Sequence, residues 1–164
     1  MPSLDVEVLM NTKSILNRVD GDNHYLNFAN KECTDIEKKK FCKDNIEQFL
    51  REKAIAVSDT VAVANRLNGN ASDLTLEVVE PLNLAGILDQ IPRCHTLVTT
   101  GQKATDTLLS ITGSPAPEIG GFVDFLYHNR RLRLYRMPST SRAYPKPLTD
   151  KAKIYRTIFQ NFEQ

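Results

Sequence analysis

The sequence predicts a layered α/β domain with a largely parallel sheet. Short runs rich in β-formers, such as Ala54 to Val57 and His95 to Thr100, alternate along the chain with stretches whose apolar residues recur at helical spacing. The chain has 164 residues and no internal repeat, linker or low-complexity tract, so a single domain over 1–164 is expected.

Leu4 to Met10 alternates and then turns fully apolar, as a first strand entering a core does. Asn11 to Asn30 is polar and irregular, with Asp20-Gly21-Asp22-Asn23 as a turn signal. A loop of that length in a compact domain is expected to carry function or to move. Thr34-Asp35-Ile36-Glu37 reads as a capping box, opening a helix with a stripe of Ile36, Cys42, Ile46, Phe49 and Leu50. Lys38-Lys39-Lys40 then falls on a solvated face, with contact to DNA as the alternative.

Ala54 to Val57 is a buried strand ending in Ser58-Asp59-Thr60, where Asp59 either caps the next turn or touches a ligand. Val61 to Leu67 is expected to be helical, with Asn68-Gly69-Asn70 ending it. Leu74 to Val79 suits strand or helix equally. Pro81 to Gln90 is a short helix, and Pro92 prevents its continuation.

His95 to Thr100 is the next strand. It runs into Gly101 and a helix over Gln102 to Ile111, with Ala104, Leu108 and Ile111 on one side. Gly101 either makes a tight turn or lets the backbone approach a ligand beside the helix N-terminal amides. After a loop from Gly113 to Gly121, Phe122 to Tyr127 and Arg131 to Arg136 form a hairpin around His128-Asn129-Arg130. Asp150 to Phe162 is an amphipathic closing helix carrying Ala152, Tyr155, Ile158, Phe159 and Phe162.

Composition bounds the function. The formal net charge is only +1, so any nucleic-acid binding must rest on local charge. No apolar run is long enough to span a membrane, and the first ten residues lack a basic segment followed by an apolar core. Cys33, Cys42 and Cys94 are odd in number and widely spaced, which fits free thiols in a reducing cytoplasm. No Cys/His pair has metal-ligand spacing, so no structural metal is expected. There is no GxSxG and no P-loop, and His24, His95 and His128 stand apart from one another as structural or exposed residues.

In open parallel sheets, ligands bind beyond the carboxyl ends of the strands, which makes Asn11, Asp59, Gly101 and Ser139 candidates for that rim. The stretch Leu132 to Leu148, LRLYRMPSTSRAYPKPL, starts as an alternating strand and passes at Met137-Pro138 into a loop of small hydroxyl residues. Ser139, Thr140 and Ser141 suit phosphate oxygens, Arg142 adds charge, and Tyr144 or a proline edge can stack or wedge. An ordinary strand-to-helix connection made of turn residues is the alternative.

Two segments, Val98-Thr99-Thr100-Gly101-Gln102-Lys103-Ala104 and Arg136-Met137-Pro138-Ser139-Thr140-Ser141, together resemble the uracil-DNA glycosylase superfamily. The likeness is to the bacterial and archaeal branch that includes hypoxanthine and uracil glycosylases. It runs from Phe49 through Ala54-Ile55-Ala56-Val57-Ser58-Asp59-Thr60 to the closing helix. The resemblance implies a three-layer α/β/α domain with a mostly parallel four-stranded sheet and a base pocket at one rim, with Asp59 and Gly101 there. It also implies a Pro138 to Ser141 loop that presses on DNA beside a flipped nucleotide, and cofactor-free hydrolysis of an N-glycosidic bond.

The first motif is degenerate. Asn11-Thr12-Lys13-Ser14-Ile15 holds neither the Gly nor the Pro that relatives place after the first strand, and Met137 stands where some branches carry His or Asn. Asn11 or Asn30, the latter ending Tyr25-Leu26-Asn27-Phe28-Ala29-Asn30, matches the place of a water-positioning residue.

The expectation is a monomeric, cytoplasmic glycosylase acting on DNA with a deaminated base, uracil or hypoxanthine. The alternatives are an inactive DNA-binding protein of the same fold and an α/β enzyme of small nucleotides.

Overall fold

The structure is a computed structural model that describes residues 6–10, 34–35, 40–41, 43–58, 60–66, 76–139 and 145–160. In chain order its elements are β1 (Val8–Met10), β2 (Thr34–Asp35), β3 (Lys40–Phe41), α1 (Lys43–Glu52), β4 (Ile55–Val57), β5 (Val61–Arg66), β6 (Leu76–Pro81), α2 (Leu84–Gln90), β7 (Thr96–Thr100), α3 (Gln102–Thr112), β8 (Phe122–Tyr127), β9 (Arg130–Met137) and α4 (Leu148–Gln160).

The main sheet has the order β4-β1-β7-β9-β8. The first four strands are parallel, and β8 pairs antiparallel with β9 at the edge. The α/β class with a mostly parallel sheet is therefore as expected, with five strands rather than four. The fifth is the first arm of the predicted hairpin, whose register with β9 is unbroken from Phe122↔Tyr135 to Tyr127↔Arg130. His128 and Asn129 close it with φ of 49° and 63°, the left-handed pair that a two-residue turn of matching twist requires.

Alternation along the strands sends side chains to two cores. Leu9, Leu97, Leu132 and Leu134 face α2 and α3, where they meet Leu84, Leu88 and Leu108. Val8, Met10, Val98, Tyr135 and Met137 face the opposite layer, where they meet Tyr155 and Ile158 of α4, with Phe49 and Leu50 of α1 packed alongside. The two clusters make the domain three-layered. Full burial of a residue such as Leu134 contributes about 1.5–3 kcal/mol.

Two expectations were wrong. The helix does not start at Thr34: Thr34–Asp35 and Lys40–Phe41 pair antiparallel, and α1 opens at Lys43. A start at Thr34 would put Asp35 and Glu37 in the first turn, and the observed start puts Asp44 there and Arg51 in the last turn. The helix dipole thus suits either start, and the strand pairing of Thr34–Asp35 with Lys40–Phe41 is what sets it. Nor is Val61 to Leu67 helical. Val61–Arg66 is a strand paired antiparallel with Leu76–Pro81, which also settles the ambiguous segment as strand. Val61, Val63, Val78 and Val79 are β-branched and favour that state.

The remaining elements lie where expected, within a residue or two at most ends. Asn83 caps α2, its side-chain oxygen accepting from the Gly86 amide at 3.1 Å. Pro81 itself ends β6 rather than opening that helix.

Candidate active site at the carboxyl rim of the sheet

From β1 the chain crosses to β4 on one side and then returns past β1 to β7 on the other. The gap between β1 and β7 is thus the point where strand order reverses, the usual place for a ligand crevice in an open α/β sheet. Both strands end on the same rim, in the register Met10↔Val98. The Ser58 amide donates to the Met10 carbonyl at 3.0 Å, and the Gly101 amide to the Met137 carbonyl at 3.1 Å, so hydrogen bonding continues just past the strand ends.

A recess opens there, lined by Leu9, Leu97, Val98 and Thr99 from β1 and β7, with Ser58, Thr60, Leu82, Leu84 and Leu108 around them. Its free volume is about 20 Å³, room for roughly one water. The described lining is apolar except for the hydroxyls of Ser58, Thr60 and Thr99. A larger open cleft of about 500 Å³ lies at the amino end of the parallel strands, between His95 and the β8–β9 hairpin. Its walls include Arg133 and Asp124, which already satisfy each other, and it is far from the switch point. The rim recess is the better candidate.

Thr99 and Thr105 tie the end of β7 to the start of α3. The Thr105 hydroxyl donates to the Gly101 carbonyl at 2.8 Å. Its single proton is then used, so the Thr99 hydroxyl is the donor in the 2.8 Å contact between the two. Thr99 is 1% exposed and lines the recess, where its oxygen is left with acceptor capacity.

Gly101 adopts φ 90° and ψ 167°, a conformation open essentially to glycine alone. A Cβ built on it would lie 3.6 Å from Ser139 Cβ and 3.8 Å from Ser139 Oγ. The two segments that carry the sequence resemblance, around Gly101 and around Ser139, therefore meet at the ends of adjacent strands, in the register Thr100↔Met137.

Pro138 is buried, and its carbonyl accepts the Tyr155 hydroxyl of α4 at 2.6 Å. Ser139 is half-buried beside it. One turn before Tyr155 on α4, Lys151 is 5% exposed, and burial pushes its ammonium below the ordinary lysine value.

Of the predicted site residues, Gly101, Pro138 and Ser139 are thus brought together. Asn11, Asn30, Asp59, Thr140, Ser141, Arg142 and Tyr144 lie outside the described residues, as do Lys38 and Lys39 of the basic run. The structure adds Thr60, Leu82 and Thr99 to the predicted site, and with them the β5–β6 hairpin that sits between Thr60 and Leu82, where the Leu82 amide donates to the Thr60 carbonyl at 2.9 Å. Valine at alternate positions 61 and 63 was the signal available for that hairpin.

Away from the rim, His95 Nδ1 lies 2.8 Å from Thr96 Oγ1, and His128 stacks on Tyr127 at 4.3 Å between ring centres. Cys94 is buried, which pushes its thiol up. Among the described residues no group of His, Cys, Asp and Glu is placed to hold a metal ion, and no helix is long and apolar enough to cross a membrane.

The class defined by this architecture is an open, mostly parallel α/β/α domain with a small hydroxyl-bearing recess at its switch point. A solved structure is similar in fold: a solution NMR structure from Methanosarcina acetivorans, described as that of a "putative Uracil DNA glycosylase". It is 16% identical, with a TM-score of 0.60 over 98% of this chain and 92% of that one. At that identity the likeness is one of fold. No protein-family model and no curated protein matches the sequence.

Proposed function

We propose that this protein is a DNA glycosylase that hydrolyses the N-glycosidic bond of a deaminated base, uracil or hypoxanthine, in cytoplasmic base-excision repair. The observation that carries the reading is the juxtaposition of Gly101 and Ser139 at the ends of adjacent strands, where a Cβ at 101 would come within 3.6 Å of Ser139. It brings the two resembling segments together at the rim beside the switch-point recess. The shared fold of the Methanosarcina acetivorans protein supports it.

In this reading the Ser139 to Ser141 hydroxyls and Arg142 bind phosphates, and Tyr144 stacks. Tyr155 braces the Pro138 end of the loop so that it can press on the duplex. Pushing a base out of the stack costs a few kcal/mol, offset by those phosphate contacts. Water adds through its oxygen to the sugar C1′, while the base leaves with the electron pair of the broken C–N bond. One water proton ends on the departing base and the hydroxyl stays on the sugar. Asn11 or Asn30 positions that water. Glycine at 101 leaves the start of α3 clear for close approach of the substrate, and Thr99 offers a buried acceptor in the recess.

A second reading, a DNA-binding protein of the same fold without catalysis, is favoured by one observation: the described lining of the recess holds no ionisable side chain. Base release from uracil- and hypoxanthine-containing oligonucleotides tests the choice. Release establishes the glycosylase. Salt-sensitive duplex binding without release favours the binding protein, and neither would point to a small-nucleotide enzyme.

A further inference from the structure

The edge strand β8 carries features of a pairing surface. Among the described residues, strand pairing joins it on one side only, to β9. The Arg136 amide donates to the Gly121 carbonyl at 3.0 Å. By antiparallel alternation, the backbone groups of Val123, Phe125 and Tyr127 then face β9, and those of Phe122, Asp124 and Leu126 face outward. Natural edges are usually blunted by a bulge, a proline or lysines. Between Phe122 and Tyr127 there is no proline and no lysine, and the register with β9 is continuous; the bulge, where the Gly120 amide and the Gly121 carbonyl both bond Arg136, comes before the strand. The exposed large hydrophobics among the described residues, Ile119, Phe122 and Leu126, all lie on or next to this strand, with Leu126 the most open at 65%.

We infer that β8 pairs antiparallel with β8 of a second copy of this chain, forming a weak, concentration-dependent dimer with a continuous sheet. The strand is self-complementary about Asp124. A two-fold axis there sets Phe122 opposite the partner's Leu126 and Leu126 opposite the partner's Phe122, so each exposed hydrophobic covers another. Val123 falls opposite the partner's Phe125 on the other face. The outward amides and carbonyls of Phe122, Asp124 and Leu126 are those that such a register requires. Like charges at the axis would oppose it, but each Asp124 enters already bonded by Arg133, with Nε–Oδ1 at 2.7 Å and Nη2–Oδ2 at 3.0 Å. One short strand pair with its flanks is smaller than the interface of a tight complex, hence a dimer that forms at high concentration and comes apart on dilution.

Sedimentation velocity from low-micromolar to near-millimolar protein tests this, with Leu126→Lys as the variant. Leu126 is exposed, so the variant should fold, and its circular dichroism checks that. The expected result is a sedimentation coefficient that rises with concentration for wild type and stays monomeric for Leu126→Lys. Amide exchange supplies a second readout: protection at Phe122, Asp124 and Leu126 should grow with concentration, while that at Val123 and Phe125 stays constant. A wild type that is monomeric throughout overturns the inference and leaves the edge to a strand from another protein. A dimer that survives Leu126→Lys, with no change in exchange at β8, overturns it as well by placing the interface elsewhere.

Discussion

Tyr155 of α4 gives its hydroxyl proton to the Pro138 carbonyl across 2.6 Å, so the closing helix holds the base of the small-residue loop. Tyr155→Phe removes the donor and leaves a buried carbonyl with one partner fewer, at a cost of about 1–3 kcal/mol. Urea unfolding should show a lower midpoint with an unchanged slope. Because the loop loses its brace, DNA affinity should also fall, which fluorescence anisotropy on a duplex would detect.

Gly101→Ala isolates backbone conformation at the site. The added Cβ has room, its nearest contact being Ser139 Cβ at 3.6 Å, so steric clash is not the issue. The cost is that of forcing φ 90° and ψ 167° on an L-residue, about 1–3 kcal/mol. The variant should unfold at lower urea and release base more slowly than wild type at equal folded concentration. An unchanged midpoint would show that the start of α3 relaxes freely.

The parts of this fold that the sequence displays are those where local pattern and tertiary role agree. Thr96–Thr100 into Gly101 and α3 is legible because β-branched residues, a glycine and a helical stripe follow one another in the order they are used. The hairpin at His128-Asn129 is legible for the same reason. Thr34 to Phe41 is not, because a local capping box signals a helix start there while the chain pairs Thr34–Asp35 with Lys40–Phe41, a pairing that no local pattern announces. Val61 to Arg66 misleads because valine and alanine in alternation suit a strand through valine and a helix through alanine.

Candidate residues at strand ends, Gly101 and Ser139, could be placed by the carboxyl-end rule alone. Thr99 and Thr105 could not, because their shared hydrogen bond depends on how α3 turns back over β7.

Lys151 makes stability depend on pH in the alkaline range. Burial lowers its folded-state pKa from 10.5, so the unfolded chain binds that proton more readily. The Lys151 contribution to stability therefore rises as pH climbs from the lowered value toward 10.5, and is complete above it. Denaturant titrations at several alkaline pH values should show wild type gaining stability relative to Lys151→Met over that window. Parallel curves would mean that the ammonium is as well solvated folded as unfolded.

Asp124 and Arg133 give the opposite dependence at the acid end. The Arg133 hydrogen bond holds the Asp124 carboxyl below 3.8, so the contribution of the pair is present above that value and is lost as pH falls through the lowered one. Both groups are more than a third exposed, which limits the effect to about 0.2–1 kcal/mol. Asp124→Asn should be destabilised by that much at neutral pH and low salt, and should match wild type in strong acid. Thermal melts at the two pH values measure the difference.

Hydrolysis at the rim is tested by base release from uracil- and hypoxanthine-containing oligonucleotides, duplex and single-stranded, by wild type beside Asn11→Ala and Asn30→Ala. Wild type should release free base, and release should collapse in one of the two variants, which would identify the residue that positions the water. Wild type that binds the duplex and releases neither base would contradict it.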